Sequence, residues 1–220
     1  MITLHGFPFS NYHNIVKHAL LAKGLEFEEH IAYPGSEALL AVNPLGKVPA
    51  MTTAAGAVLS ETTVLLEYLE EKYPEPALYP ADPEERAKTR RLMKLSELYL
   101  ELPARRLLPA VLGNATIPEA TLEEVRTALQ RGVTGLTALA AFSPYLCGEQ
   151  CTLADIYLRY ALAIPKLAGP SKLNWDILAA VPGLKEWDAM MAESEIAQRV
   201  DADQAANADE FMAYVKKHMG

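Results

Sequence analysis

Cysteine is nearly absent from this chain: two occur in 220 residues, Cys147 and Cys151. Their C-x3-C spacing has no histidine nearby, whereas a zinc site wants more ligands and a redox pair wants C-x-x-C near the start of a βαβ unit. Two buried, inert thiols are the expectation, and no metal. Long apolar runs are missing as well, since nothing approaches the ~18 residues that a membrane span requires. Met1-Ile2-Thr3-Leu4 enters a strand pattern directly, with no basic segment ahead of a cleavable apolar one. A cytoplasmic protein without a membrane partner is expected. Positive charge is in the minority: 20 Lys and Arg stand against 28 Asp and Glu, a formal net charge of −8, which argues against nucleic acid as a partner. Internal repeats and low-complexity segments are lacking too.

What the chain does have is Asn43-Pro44-Leu45-Gly46-Lys47-Val48-Pro49, followed by Ser60-Glu61-Thr62. Val48-Pro49 opens a short apolar run, and proline belongs at a strand's first residue, an edge or a bulge. X-Pro is also the only bond that goes cis cheaply. A cis bond there would turn the Val48 backbone N–H and C=O outward, free to pair with a peptide-like ligand. Ser60-Glu61-Thr62 leads into Val64-Leu65-Leu66-Glu67-Tyr68-Leu69, so its hydroxyls and amides lie at a helix N-terminus. Such an end binds carboxylates through free N–H groups and the helix dipole. A strand edge and a helix start, joined by one hairpin, make a pocket for a short anionic peptide. Residues 1–77 hold 4 Lys or Arg and 9 Asp or Glu, a net charge of −5, so their overall field would not attract that peptide. It would have to be held locally, by Lys47 and the helix start.

N-P-x-G-K-V-P, then Ser60-Glu61-Thr62, then a helix ending Tyr68-Leu69-Glu70-Glu71-Lys72-Tyr73-Pro74 resemble the cytosolic glutathione S-transferases over essentially the whole chain. The resemblance implies glutathione as co-substrate. It implies that Lys47 meets the glycine carboxylate and that Val48, beside Pro49, pairs with the cysteinyl unit. Glu61 would take the γ-glutamyl ammonium, and Thr62, in place of the commoner serine, the γ-glutamyl carboxylate. In this family the loop after the first strand, here Phe7 to Asn14, presents a tyrosine, serine or cysteine that stabilises the thiolate. His5-Gly6-Phe7 stand where tyrosine-type members carry that group, and the loop has no cysteine. Alignment on Lys23-Gly24 brings Ser10 to the position of the serine-type (theta- or tau-like) members. Tyr12 is the runner-up and Asn11 a possible helper. A free thiol has a pKa of ~8.5 and its thiolate is the nucleophile; a hydrogen bond to the charged form lowers that value.

The implied function is conjugation of glutathione to electrophilic, partly apolar small molecules, a detoxification chemistry, by a homodimer. Tyr12, Tyr99, Arg106 and Leu107 are candidates for the second-substrate site. The alternatives are a glutathione-dependent isomerase or peroxidase, or a non-catalytic binding or regulatory protein on the same fold. The serine-serine-cysteine loop of the zeta-like isomerases is absent.

Residues 1–72 alternate between strand and helix patterns. Strands are expected at Ile2–His5, at Leu25–Glu28 with an extension to Ile31, and in a hairpin of Val48–Met51 with Ala57–Leu59. Helices are expected at Asn14–Lys23 and Glu61–Lys72, with a short helix or irregular turn at Ser36–Val42. The order βαβ-α-ββα gives a small mixed sheet with helices on its faces, the thioredoxin-like arrangement, over residues 1–77. A proline-rich linker, 78–83, precedes an all-α domain over 84–220, with helical spacing at 82–112, 121–142, 152–167, 182–191 and 206–217. Thr152-Leu153-Ala154-Asp155 reads as a capping box with Cys151 and Ile156 as its staple, a structural motif. His13 and His18 lie about 140° apart round a helix, which makes them poor joint metal ligands. His5, His30 and His218 read as isolated, and no histidine is given a role. Trp175 and Trp187 read as core. Arg90-Arg91 and Arg105-Arg106 read as a solvated face or as ion pairs across a dimer.

Overall fold

A computed structural model describes residues 1–218. Four strands form one sheet in the order β2-β1-β3-β4: β1 Ile2–Gly6, β2 Phe27–Ile31, β3 Ala50–Thr52 and β4 Val58–Ser60. β1 and β2 run parallel across the helix α1 (Asn11–Ala22), as a βαβ crossover must. β3 and β4 form an antiparallel hairpin whose inner strand pairs with β1. The short helix α2 (Glu37–Leu40) buries Leu39 with Ala32 and Ala50, and α3 (Thr62–Lys72) packs beside α1. Consecutive Ala50 and Met51 are both 0% exposed, so both faces of the central strand are covered. The chain therefore has the thioredoxin-like sheet that its strand and helix order implies.

Beyond the prolines no further strand forms among the described residues; the second unit is helical. The expected helix over 82–112 is broken into α4 (Pro83–Leu95), a π-helical stretch Ser96–Glu101, α5 (Leu102–Arg105) and α6 (Leu108–Val111). Pro103 has no N–H to give the Tyr99 carbonyl one turn back, and Pro109 repeats the fault, so the ladder widens and then stops. Ser96 adds to the bend by donating its hydroxyl to the Leu92 carbonyl at 2.8 Å. This unit continues with α7 (Glu119–Leu139), α8 (Leu153–Ala161), α9 (Ala163–Ala168), a second π-helical stretch Gly169–Leu173, and α10 (Leu184–Ala192).

The capping box forms as read. The Thr152 side chain accepts from the Ala154 N–H, and the Asp155 carboxylate accepts the Thr152 N–H at 2.9 Å. Asp155 also accepts the Leu146 N–H at 2.8 Å and the Trp187 indole N–H at 3.0 Å, which joins α8 to α10. Trp187 is core, whereas Trp175 is only half-buried. The thiols of Cys147 and Cys151 are half-buried rather than buried.

One segment falls outside the domain assignment made from sequence. By its contacts the chain divides into Met1–Leu78 with Ser194–Asp209, and Tyr79–Glu193 with Glu210 onward. Within the first unit, α11 (Glu195–Ala206) packs on α1; the last helix, α12 (Ala208–His218), belongs from Glu210 on to the second unit. α11 escaped the sequence reading because Glu-Ile-Ala-Gln-Arg-Val-Asp-Ala-Asp-Gln-Ala-Ala has only a narrow apolar stripe. The available signal was Ser194, which caps it by accepting the Ala197 N–H at 3.2 Å.

Candidate active site

Strand register gathers the site residues. His5 lies opposite Ala50, and Ala50 lies opposite Ser60. The loop leaving β1, the Val48-Pro49 step entering β3 and the Glu61-Thr62 step leaving β4 therefore emerge at the same end of the sheet. Two antiparallel pairings thus bring segments far apart in sequence to one end of the sheet.

Ser10 occupies the loop as the N-cap of α1, with φ −79° and ψ 119°. The chain turns into it through a hydrogen bond from the Ser10 N–H to the Phe7 carbonyl at 3.0 Å. Its Oγ accepts the His13 N–H at 3.4 Å. A hydroxyl has one donor and two acceptor sites, so the Ser10 hydrogen is left to give elsewhere. The first turn of α1 holds no acidic residue, so nothing there competes with an anion for the helix's positive end. Tyr12 is half-buried and Asn11 buried on the same turn.

Lys47 is exposed and makes no ion pair among the described residues. The turn before it is held by Asn43, 2% exposed, which donates to the Lys47 carbonyl at 2.7 Å and accepts the Leu45 N–H at 3.2 Å. Asn43 was not singled out from the sequence, although Asn-Pro-x-Gly is a turn signature that could have found it. The Val48–Pro49 bond is cis, and the Val48 backbone groups have no hydrogen-bond partner among the described residues. Glu61, exposed at the start of α3, has φ 72° and ψ 115° and caps nothing with its side chain. A non-glycine residue in that region costs ~1–3 kcal/mol, so the hairpin and helix hold it there against its preference. Thr62 follows, 7% exposed.

Behind the loop a polar chain crosses three elements, buried at His13 and Lys17 and open to solvent at Glu29 and Asp203. Nε2 of His13 meets a Glu29 carboxylate oxygen at 2.8 Å, and Lys17 bridges Glu29 at 2.6 Å and Asp203 at 2.7 Å. Partial burial pushes the Glu29 carboxyl up, but hydrogen bonds from His13 and Lys17 outweigh it and hold it at about 2. Burial pushes His13 below the usual histidine range, and Glu29 does not pull it back. His5 and His30 are not isolated: the parallel register sets them opposite one another, with Nδ1 atoms 3.2 Å apart. No group of three His, Cys, Asp or Glu among the described residues could hold a metal.

Of the second-substrate candidates in the helical unit, Tyr99 is 43% exposed. It lines a cavity of about 300 Å³ with Arg91, Lys94, Leu95, Arg131 and Leu139. Arg106 instead pairs with Glu124 at 2.8 Å, and Arg105 pairs with the buried Glu101. Leu107 is 0% exposed and offers no surface to a ligand; Pro103 and Pro109 turn the chain so that it faces the core. Burial raises both thiols, Cys147 upward and Cys151 to about 12.

Fold and site together define a class: a thioredoxin-like domain with candidate binding residues gathered at one end of its sheet, continued in sequence by a helical unit. The chain matches the family model "Glutathione S-transferase, N-terminal domain" over residues 4–77 and "Glutathione S-transferase, C-terminal domain" over residues 81–195. It is 41% identical to a glutathione S-transferase of Pseudomonas putida over 217 residues, which is 98% of each chain. It is 31% identical to a maleylpyruvate isomerase of Ralstonia over 207 residues, 89% of this chain and 94% of that one. The solved structure of a glutathione S-transferase from Rhodospirillum rubrum superposes with a TM-score of 0.71 at 27% identity, covering 91% of both chains. The chain belongs to the glutathione S-transferase family and is a glutathione-using transferase.

Proposed function

We propose that this transferase lowers the thiol pKa of bound glutathione through the Ser10 hydroxyl and adds the thiolate to a small, partly apolar electrophile. One observation carries the reading: the strand register that brings Ser10, the open Val48 backbone and the α3 N-terminus to one end of the sheet. Lys47 would meet the glycine carboxylate, Val48 the cysteinyl backbone, Glu61 the γ-glutamyl ammonium and Thr62 its carboxylate. The unpaired Lys47 ammonium and the uncapped α3 N-terminus, in a half-chain of net negative charge, are where an anion would find its partners. The hydroxyl's hydrogen bond to a charged sulfur is worth ~1.5–3 kcal/mol. No protein residue need become covalently attached.

The second substrate would approach Tyr12, with Tyr99 the remaining candidate from the helical unit. A homodimer is the assembly we read. Leu98, Tyr99, Leu102 and Leu139 are 36–50% exposed on the helical unit, apolar side chains that a partner subunit would cover. Cytoplasmic detoxification fits a chain in which no described helix is long and apolar enough to cross a membrane.

The Ralstonia maleylpyruvate isomerase relative favours one second reading, an isomerase in which glutathione is regenerated. The deciding experiment assays the protein with glutathione against activated aryl halides, enones, hydroperoxides and cis-enediones. A thioether product with glutathione consumed supports the transferase. Isomerised product with glutathione unchanged supports the isomerase. Glutathione binding without turnover of any would leave a binding protein.

A further inference from the structure

The loop carrying Ser10 is held by a residue almost two hundred positions away. The Asn207 carboxamide oxygen accepts the Phe9 N–H at 3.2 Å, and its nitrogen donates to the Tyr33 hydroxyl at 3.3 Å. The orientation is fixed by chemistry, because a backbone N–H can only donate and so must face the oxygen. The Tyr33 ring lies 4.7 Å from that of Phe7, so Asn207 ties together the two walls of the loop. Asn14 holds it from below, donating to the Pro8 carbonyl at 2.8 Å. Asn207 is itself 7% exposed and fixed as the C-cap of α11, its N–H reaching the Asp203 and Gln204 carbonyls at 3.2 Å. One turn back along α11, Asp203 reaches the first turn of α1 through Lys17, Glu29 and His13. The N–H of His13 ends on the Ser10 hydroxyl. Two separate paths thus run from α11 to the residues on either side of Ser10.

We propose that α11 is a positioning element of the thiol-activating site, with Asn207 its principal residue and Asp203 its second. The inference rests on the reading of Ser10 given above. A donor must stand within about 0.5 Å of its working position to stabilise a charge. Asn207 touches neither sulfur nor electrophile; it sets where Phe9, and hence Ser10, stands. Asparagine suits the post because one planar group supplies both the acceptor for Phe9 and the donor for Tyr33.

The test compares Asn207→Leu, Asn207→Asp and Ser10→Ala. It measures kcat and KM with glutathione and an activated aryl chloride, and the ultraviolet thiolate absorbance of the glutathione complex against pH. Asn207→Leu lowers kcat by roughly tenfold, as sub-ångström misplacement does, and moves the thiolate titration to higher pH. KM for glutathione changes less than about threefold, because the peptide's other contacts survive. Asn207→Asp keeps the acceptor for Phe9 and recovers most of both; a merely structural residue would lower the melting temperature without moving the titration. A folded Asn207→Leu with the wild-type titration, while Ser10→Ala shifts it, overturns the proposal. If Asn207→Leu does not fold, Asp203→Asn carries the same test, since Lys17 keeps Glu29, and an unmoved titration there overturns it equally. Should Ser10→Ala leave the titration unmoved while Asn207→Leu shifts it, Ser10 is the wrong donor and the clamp stands.

Discussion

His13 and Glu29 form a pair, Nε2 to Oε2 at 2.8 Å, in which a buried histidine lies below its usual range and a half-buried carboxyl is held at about 2. Both have folded-state values below their unfolded ones, so the unfolded chain binds more protons and stability rises with pH. The His13 contribution is complete above about pH 6.5 and is lost as pH falls toward its depressed value. The Glu29 contribution is complete above its ordinary 4.5 and is lost as pH falls through about 2. Melting temperatures measured from pH 8 to pH 3 should therefore fall in two limbs. His13→Gln should flatten the upper limb and Glu29→Gln the lower. A melting temperature independent of pH between 7 and 5 would contradict the first.

Gly6 should tolerate no side chain, because the His13 ring closes over it. A Cβ at residue 6 would stand 2.4 Å from Nδ1 of His13, and His13 is 0% exposed. Gly6→Ala is expected to cost ~1–3 kcal/mol, with glutathione turnover falling as the loop shifts. The check is a double-mutant cycle with His13→Ala, followed by denaturant unfolding. The double variant should be more stable than the sum of the singles by about 1 kcal/mol or more; strict additivity would show that the ring is not the obstacle.

Removing the Ser10 hydroxyl should lower turnover by about tenfold to a hundredfold, at ~1.4 kcal/mol per decade. Glutathione affinity should change much less. If Ser10→Ala leaves the thiolate titration in place and Tyr12→Phe raises it, the activating group is Tyr12.

Asp155→Ala should be among the most damaging single changes in the helical unit. It strands the buried N–H groups of Leu146, Thr152 and Trp187. Each buried donor left unpaired costs ~1–3 kcal/mol, so a total near ~4 kcal/mol is expected by chemical denaturation. Asp155→Asn, which keeps one acceptor, should fall between. A loss below ~1 kcal/mol would mean water replaces the carboxylate.

Neither thiol should act as a nucleophile near neutral pH. With Cys151 pushed up to about 12 and Cys147 raised by burial, the thiolate fraction is small. Alkylation by iodoacetamide at pH 7.5 should be slower than that of a free cysteine. Mixed-disulfide reduction that disappears in Cys147→Ser or Cys151→Ser would contradict this.

Local chemistry in the sequence was enough for much of this protein. Thr152 and Asp155 lie three apart and make the capping box wherever that helix is packed. Lys47-Val48-Pro49 and Glu61-Thr62 announce a strand start and a helix start within 15 residues, and strand alternation over residues 1–72 supplies the sheet. The helix expected over 82–112 is broken because Pro103 and Pro109 withhold backbone donors, which a periodic apolar pattern does not register. Tertiary structure alone decided which strand ends meet, since register depends on pairings between Leu4 and Met51 and between Met51 and Leu59. It also paired His5 with His30, hid Leu107, and brought Asn207 to Phe9. Those contacts join positions with no local periodicity between them. They exist because burial of α11 against α1 and of the sheet's two faces fixes distances that no stretch of chain encodes by itself.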